Sequence, residues 1–433
     1  MAQAVAISAT TNPMKKVLGI RDFMLLWIGQ ATSMLGDQFH SIASAWLVLK
    51  MTGDPMALGM VMAISGIPRA LFTVIGGAIT DRISPRKLML ITDFIRLFLS
   101  TLLAVQIFTG TLQVWMVYVY AAVTGIMGGL FGPASMSIVP HIVPEEDLQA
   151  GNSLTQGSSS LIGFVGPAIA GALIAAFANE ATGMGIAIAV DALTFLISVI
   201  TLWMMHSSEI VKTIAEKEAA GSIFTSVKEG FSFMLKDPVL RMMFIMIALA
   251  NLCFTGPLLV GIPFLADTRF AGGAAAYGII ISGYAGGNLL GIILSGVLPK
   301  PKKSMIRFLM VVMFAAFGIG IAAMSWISVT WVATANMFIL GILNGFLSIL
   351  LITGLQRNTP KGLMGRFMSM ILLANLSMMP ISQALSGAAL RWSVTAVFVT
   401  AGVLMLGITF LMAFSPLVNK LGEMLTGEAV KQE

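Results

Sequence analysis

The sequence predicts an all-α membrane protein with twelve transmembrane helices arranged as two pseudo-symmetric bundles of six. Three observations carry this. Of 433 residues, 57% are hydrophobic and only 10% charged, with a mean hydropathy of +0.93, whereas soluble domains carry about 25% charged residues. Apolar windows of about twenty residues, each long enough to span a bilayer, recur along nearly the whole chain. The basic residues crowd into alternate turns between those windows.

Taken in order, the apolar periodicity places helices at about 23–49, 56–80, 87–109, 113–139, 151–177 and 184–205, then at about 240–266, 275–298, 305–327, 329–355, 366–389 and 394–415. Gly, Pro or charged residues punctuate most of the turns. The segment from Met205 to Leu240 is the one long polar insert. Within it, apolar residues at 223, 224, 227, 231, 234 and 235 predict an amphipathic helix lying on the membrane interface. The chain therefore divides into a first half, 1–205, a linker, 206–239, and a second half, 240–433.

With a cytoplasmic N-terminus, the inner segments hold 20 of the 25 Lys and Arg residues, from Lys15, Lys16 and Arg21 through to Lys420 and Lys431. Only Lys50, Arg269 and Arg391 fall outside, and Arg69 and Arg96 lie within helices. Both termini are thus expected in the cytoplasm of a multi-pass protein of the inner (cell) membrane. The net charge of +6 sits in these turns and forms no basic face, so nucleic-acid binding is excluded. One cysteine, Cys253, rules out an internal disulfide and has no metal-site partners. No metal or cofactor is expected, no pattern of covalent catalysis or P-loop appears, and no cleavable signal is expected at the start.

An internal repeat supports the even division. An offset of 219 places Gly59 on Gly278, Arg69 on Asn288 and Gly77 on Gly296; one of 216 places Pro144 on Pro360, and one of 213 places Gly166-Pro167 on Met379-Pro380.

Charges inside apolar helices point to function, because lipid penalises them. Asp37 sits midway along the first helix on a polar stripe with Gln30, Ser33, Ser41 and Ser44, with His40 on its edge. Arg69 follows Pro68 in the second helix, Asp93 and Arg96 share a face of the third, and Asp191 lies in the sixth. For Asp93 an interfacial position, and for Asp191 a structural hydrogen bond, weigh as heavily as function. Three acids face two bases, so one carboxylate, taken to be Asp37, has no fixed partner and can exchange a proton. The second half offers Asn251, Asn288, Asn336, Asn344, Asn375 and Gln383 instead, suggesting coupling in one half and neutral hydrogen bonding in the other.

The charged turn after the second helix, Gly77-x3-Asp81-Arg82-x3-Arg86-Lys87, resembles the signature loop of the major facilitator superfamily, with Ser84 where that pattern has Gly. Gly163-x2-Gly166-Pro167-x3-Gly171 resembles the Gly-Pro motif of its drug:proton antiporters. The fourth-helix Arg of those antiporters is replaced here by Ala121. Leu35-Gly36-Asp37, Gly53-Asp54-Pro55, Val143 to Ser153 and Gly365-Arg366-Phe367-Met368-Ser369 recur in the order of the enterobactin-exporter and macrolide-efflux branch, over residues 20–415.

The resemblance implies a non-enzymatic, proton-coupled exporter of a lipophilic or amphipathic molecule, acting as a monomer by alternating access. It implies a conformational latch of Gly77, Asp81, Arg82, Arg86 and Lys87 working against Arg366. The expected coupling residues are Asp37, Arg69, Asp93 and Arg96. The expected cavity residues are Gln30, Ser33, His40, Ser41, Gly166, Pro167, Asn251, Asn288, Asn344 and Asn375. Its partners would be the small-molecule substrate, protons and the lipid bilayer. A proton-coupled importer, or a receptor that has lost transport, are the alternatives.

Overall fold

The computed structural model describes residues 13–80, 83–206, 238–299, 303–358 and 378–418. After a short helix, Pro13–Leu18, come α1 (Arg21–Thr52), α2 (Pro55–Thr80), α3 (Pro85–Thr109), α4 (Val114–Ile142), α5 (Leu148–Ala175) and α6 (Glu180–Met204). The second half has α7 (Pro238–Thr268), α8 (Gly273–Val297), α9 (Lys303–Ala323), α10 (Thr330–Asn358), α11 (378–390) and α12 (Val394–Phe414). No strand occurs among the described residues.

The helix ends follow local chemistry. Gly53 and Gly110 adopt φ of 64° and 67° and close α1 and α3, a conformation that costs a residue with a Cβ. Pro55 and Pro85 open α2 and α3, where no backbone N–H is missed. Asn179 and Ser393 cap α6 and α12 by accepting from the N–H groups of Ala181 and Ala396. Within α7 a π turn runs from Pro257 to Gly261, and the N–H of Ile262 reaches back five residues to the Pro257 carbonyl. Pro257 has no N–H to give Cys253, and the wider turn accommodates that gap. The periodicity of the sequence does not reveal this interruption.

Ten of these helices are long and apolar enough to cross a membrane. Of the remaining two, α1 has 32 residues but carries the polar stripe through its middle, and α11 is described only over 378–390. The amphipathic helix expected at 223–235, and nearly all of the linker, lie outside the described residues. Large apolar side chains cover the outer faces, including Phe94 and Phe98 of α3 and Phe410 and Leu411 of α12. Trp203, Trp326, Trp331 and Trp392 stand exposed at helix ends, where an indole sits well between lipid and water.

Backbone contacts at glycine reveal the pseudo-symmetry directly. Gly125 and Gly129 of α4 press on the Ser65 and Arg69 carbonyls of α2; Gly341 and Gly345 of α10 press on the Tyr284 and Asn288 carbonyls of α8. These pairs are related by offsets of 216 and 219. The same offsets relate the two seams that join the halves. Gly171 of α5 meets Ala274 and Gly278 of α8, and Gly387 of α11 meets Pro55 and Gly59 of α2. Pro167 thereby corresponds to Gln383, whose carbonyls meet Gly278 and Gly59 respectively. The offset of 213, which pairs Pro167 with Pro380, is therefore corrected to 216: proline recurs in α11, but one turn away from the contact.

Glycine is required at these crossings because any Cβ would collide with backbone, which cannot rotate away. Gly129→Leu is expected to destabilise the fold by about 1–3 kcal/mol, since overpacking costs that much in a close-packed interior. Gly407→Leu, where nothing lies within 4 Å of the added carbon, should leave stability unchanged. Thermal unfolding of the two variants in detergent checks this.

Candidate functional site

For orientation, the end of the bundle carrying the 53–54, 269–272 and 391–393 turns is termed distal, and the end carrying residues 83–84, before α3, proximal. A cavity of about 450 Å³ lies among α1 to α6 and is closed from the second half by Leu259, Met379 and Gln383. Asp37, His40, Ser41, Ser44, Arg69, Arg96, Ser100 and Asp191 all line it.

The charges are not equivalent. Asp93 and Asp191 are fully buried. Ser198 of α6 donates to Asp93 Oδ2 at 2.6 Å, and Ser100 of α3 donates to Asp191 Oδ2 at 2.7 Å. The two antiparallel helices thus exchange hydroxyl–carboxylate bonds, each using Asp and Ser seven residues apart. His40 Nδ1 donates to the same Asp191 oxygen at 3.1 Å. Arg96 lies 3.9 Å from Asp93 and rests over the rings of Phe131 and Phe195 at 5.2 and 5.4 Å. Gly128 of α4 leaves the space for its guanidinium, since an added Cβ there would be 3.0 Å from Arg96 Nη2 and 3.6 Å from Arg69 Nε.

Asp37 and Arg69 are the two charges that face the cavity with no hydrogen bond or ion pair among the described residues. Around Asp37 the field comes from Arg96, Asp191, Arg69 and His40. The three acids and two bases read from the sequence therefore need His40 added to them. Asp191 has its full place in this network. The sequence held a signal for it: Asp93-x6-Ser100 and Asp191-x6-Ser198 present matching seams on two helices.

Several expected positions fall elsewhere. Gln30 and Ser33 are buried in protein and do not line the cavity; Gly29 and Gly36 form the α1 face packed on α6 at Thr201, Ser198 and Thr194. Gly166 and Pro167 are also buried. Gly166 sits under the Gln38 side chain, and the Pro167 carbonyl meets Gly278, so this motif is a packing face joining α5 to α1 and α8. Asn251 and Asn344 line a second cavity, inside the later bundle, and Asn288 donates to Asn344 at 2.9 Å. Arg86 donates to the carbonyls of Leu202 and Trp203, both at 2.7 Å, so it caps the end of α6. Lys87 is exposed, and the Thr80 hydroxyl donates to the Gly77 carbonyl. The close approach to α4 in this region falls at Gly76, against Gly129 and Leu130. Asp81, Arg82, Arg366 and Asn375 lie outside the described residues. No cluster of metal-binding side chains occurs among the described residues.

At the distal end the halves are clamped together. Arg391, before α12, forms a two-pronged ion pair with Asp54, before α2. Lys50 of α1 bridges Asp267 of α7 at 2.8 Å and Glu180 at 3.1 Å. Among the described residues the proximal ion pairs, such as Lys16 with Asp147 at 2.6 Å, stay within the first half.

The profile of the family described as transmembrane secretion effector, within the major facilitator superfamily, matches residues 11–428. The chain belongs to this family of transporters. It is 25% identical to a macrolide efflux protein of Streptococcus pyogenes, over 65% of this chain and 67% of the relative. It is 24% identical to a staphyloferrin A transporter of Staphylococcus aureus, over 62% of this chain and 64% of the relative. The fold is that of a solved nucleoside transporter, with a TM-score of 0.71 at 13% identity, covering 92% of this chain and 98% of the other. As a major facilitator transporter the chain is not an enzyme, and its buried charges need no catalytic explanation.

The transporter's distal clamp yields a prediction. The hydrogen bond from Arg391 holds the Asp54 carboxyl below the usual carboxylate range. Its contribution is therefore complete above the unfolded value of about 3.9 and fades only as pH falls through the lowered folded value. Clamping should be constant from pH 5 to 8. Exposed ion pairs contribute about 0–1 kcal/mol. Asp54→Asn should thus raise the distally open population by no more than about fivefold, and exchanging the two charges should reverse this. Spin-label distances between the 53–54 and 391–393 turns measure the shift.

Proposed function

We propose that this transporter exports a lipophilic or amphipathic small molecule, drug-like or a siderophore, across the inner (cell) membrane in exchange for protons. The observation that carries the reading is Asp37, a carboxylate at mid-helix that faces the cavity, as Arg69 does, without a hydrogen bond or ion pair among the described residues. A carboxylate is costly to keep at membrane depth, about 2.5–3.5 kcal/mol at a helix centre, and a proton-binding role accounts for that cost. Relatives named for macrolide efflux and staphyloferrin A transport support the export direction and the kind of cargo.

In this reading Asp37 is the coupling site, and Arg69 and Arg96 stabilise its charged form. Asp93 and Asp191, each held by a serine, fix the arginine and the histidine around it. The distal end is extracytoplasmic, so the clamped conformation faces the cytoplasm and loads cargo. Residues 1–205 and 240–433 rock as two units joined by the linker 206–239, with both termini cytoplasmic and the chain acting as a monomer. Asp81, Arg82, Lys87 and Arg366 hold the opposite state together from the proximal side; Gly77 belongs to the same latch. Arg86 contributes to it by fixing the end of α6.

Asn has the size of Asp but cannot change charge. Asp37→Asn is therefore expected to reduce efflux driven by an imposed pH gradient at least tenfold in reconstituted vesicles. Equilibrium binding of the same uncharged compound should stay within threefold, because apolar contact supplies most of its affinity. Undiminished driven efflux would move the coupling site to Asp93 or Asp191.

A further inference from the structure

The second cavity, about 360 Å³, lies wholly within the later bundle between α7, α8, α9, α10 and α12. It is the pseudo-symmetry mate of the charged cavity. The offsets that align the glycine contacts carry Arg69 to Asn288 and Gly128 to Asn344. In the first half, those positions hold a guanidinium and the gap that admits it. In the second, two amides hydrogen-bond to each other at 2.9 Å. Two related cavities have thus diverged, one ionic and one neutral. They abut at the π turn of α7, where the consecutive residues Leu258 and Leu259 line one cavity each.

We propose that the later-bundle cavity is a binding site for an uncharged, amphipathic small molecule with an aromatic or similarly flat apolar body. Among the described residues no Asp, Glu, Lys, Arg or His lines it, so a charged ligand would lose its hydration and gain no counter-charge from them. The walls are Phe254, Phe314 and Phe317 with Met243, Met313 and Met405. Phe254 packs on Tyr284 at 5.2 Å and edge-on to Phe317 at 4.8 Å, which offers ring faces and edges to a flat guest. The methionines adapt to its outline. Three lining groups have no hydrogen-bond partner among the described residues: the Tyr284 hydroxyl, the Ser348 hydroxyl and the Asn344 amide NH2. A guest supplying acceptors satisfies them, and this separates the site from one built for a lipid tail. The assignment rests on the export reading only in taking this guest as cargo; binding itself is tested without any gradient.

The test uses the purified full chain in detergent and radiolabelled chloramphenicol, an uncharged aromatic molecule with hydroxyl and amide groups. Saturable binding is expected. Its deacylated amine, which is cationic at neutral pH, should compete at least tenfold more weakly. Ser348→Trp, which fills the cavity, should weaken binding at least tenfold. Tyr284→Phe, which keeps the ring, should weaken it about two- to tenfold, as expected for one hydrogen bond. Leu411→Trp on the exposed face of α12 should change nothing. Should Ser348→Trp fail to elute as a monodisperse protein, Tyr284→Phe decides alone. Absent saturable binding, equal competition by the amine, full binding by both cavity variants, or displacement by added phospholipid each overturns the site. Failure of proton coupling would appear separately, in driven efflux by the Asp37 variant.

Discussion

Helix backbones in direct contact at glycine are the constraint on which this structure depends. In lipid the hydrophobic effect does not press helices together, so packing has to come from close van der Waals approach. Gly171 on Gly278 and Gly387 on Gly59 bring the halves together near the distal end, and the ion pairs Asp54–Arg391 and Lys50–Asp267 add electrostatic attraction there. Gly125 and Gly129, with their counterparts Gly341 and Gly345, hold each bundle tight on one side.

What fills the two cavities differs between the halves. The first encloses Asp37, His40, Arg69, Arg96 and Asp191 around one space. Ser100 holds Asp191 through one carboxylate oxygen, and the rings of Phe131 and Phe195 hold Arg96 beside the Ser198-bound Asp93, whereas Asp37 and Arg69 have no hydrogen bond or ion pair among the described residues. The second substitutes amides, hydroxyls, phenyl rings and thioethers. On the proposed reading, in which both a proton and a lipophilic body are moved, this separation is an advantage, because a site dry enough for one is unfavourable for the charge of the other.

The sequence by itself placed the helices to within a few residues wherever they are described, because twenty-residue apolar windows and Gly or Pro punctuation are local properties. It also pointed to the family: the charged turn at Gly77–Lys87 and the ordered local motifs resembled it, and its profile matches residues 11–428. The repeat was legible too, since equal offsets need no coordinates, although Pro380 drew the α5 alignment to 213 in place of 216. Tertiary structure alone decided which polar residues face a cavity. Gln30 and Ser33 share a stripe with Asp37 in the sequence, yet are buried in protein away from the cavity, because a stripe fixes an angle around one helix and says nothing of what stands opposite. Asp191 and His40, 151 residues apart, meet through a single carboxylate oxygen, and Arg86 reaches the end of α6. Such contacts are set by the packing of distant helices, and only the assembled bundle determines them.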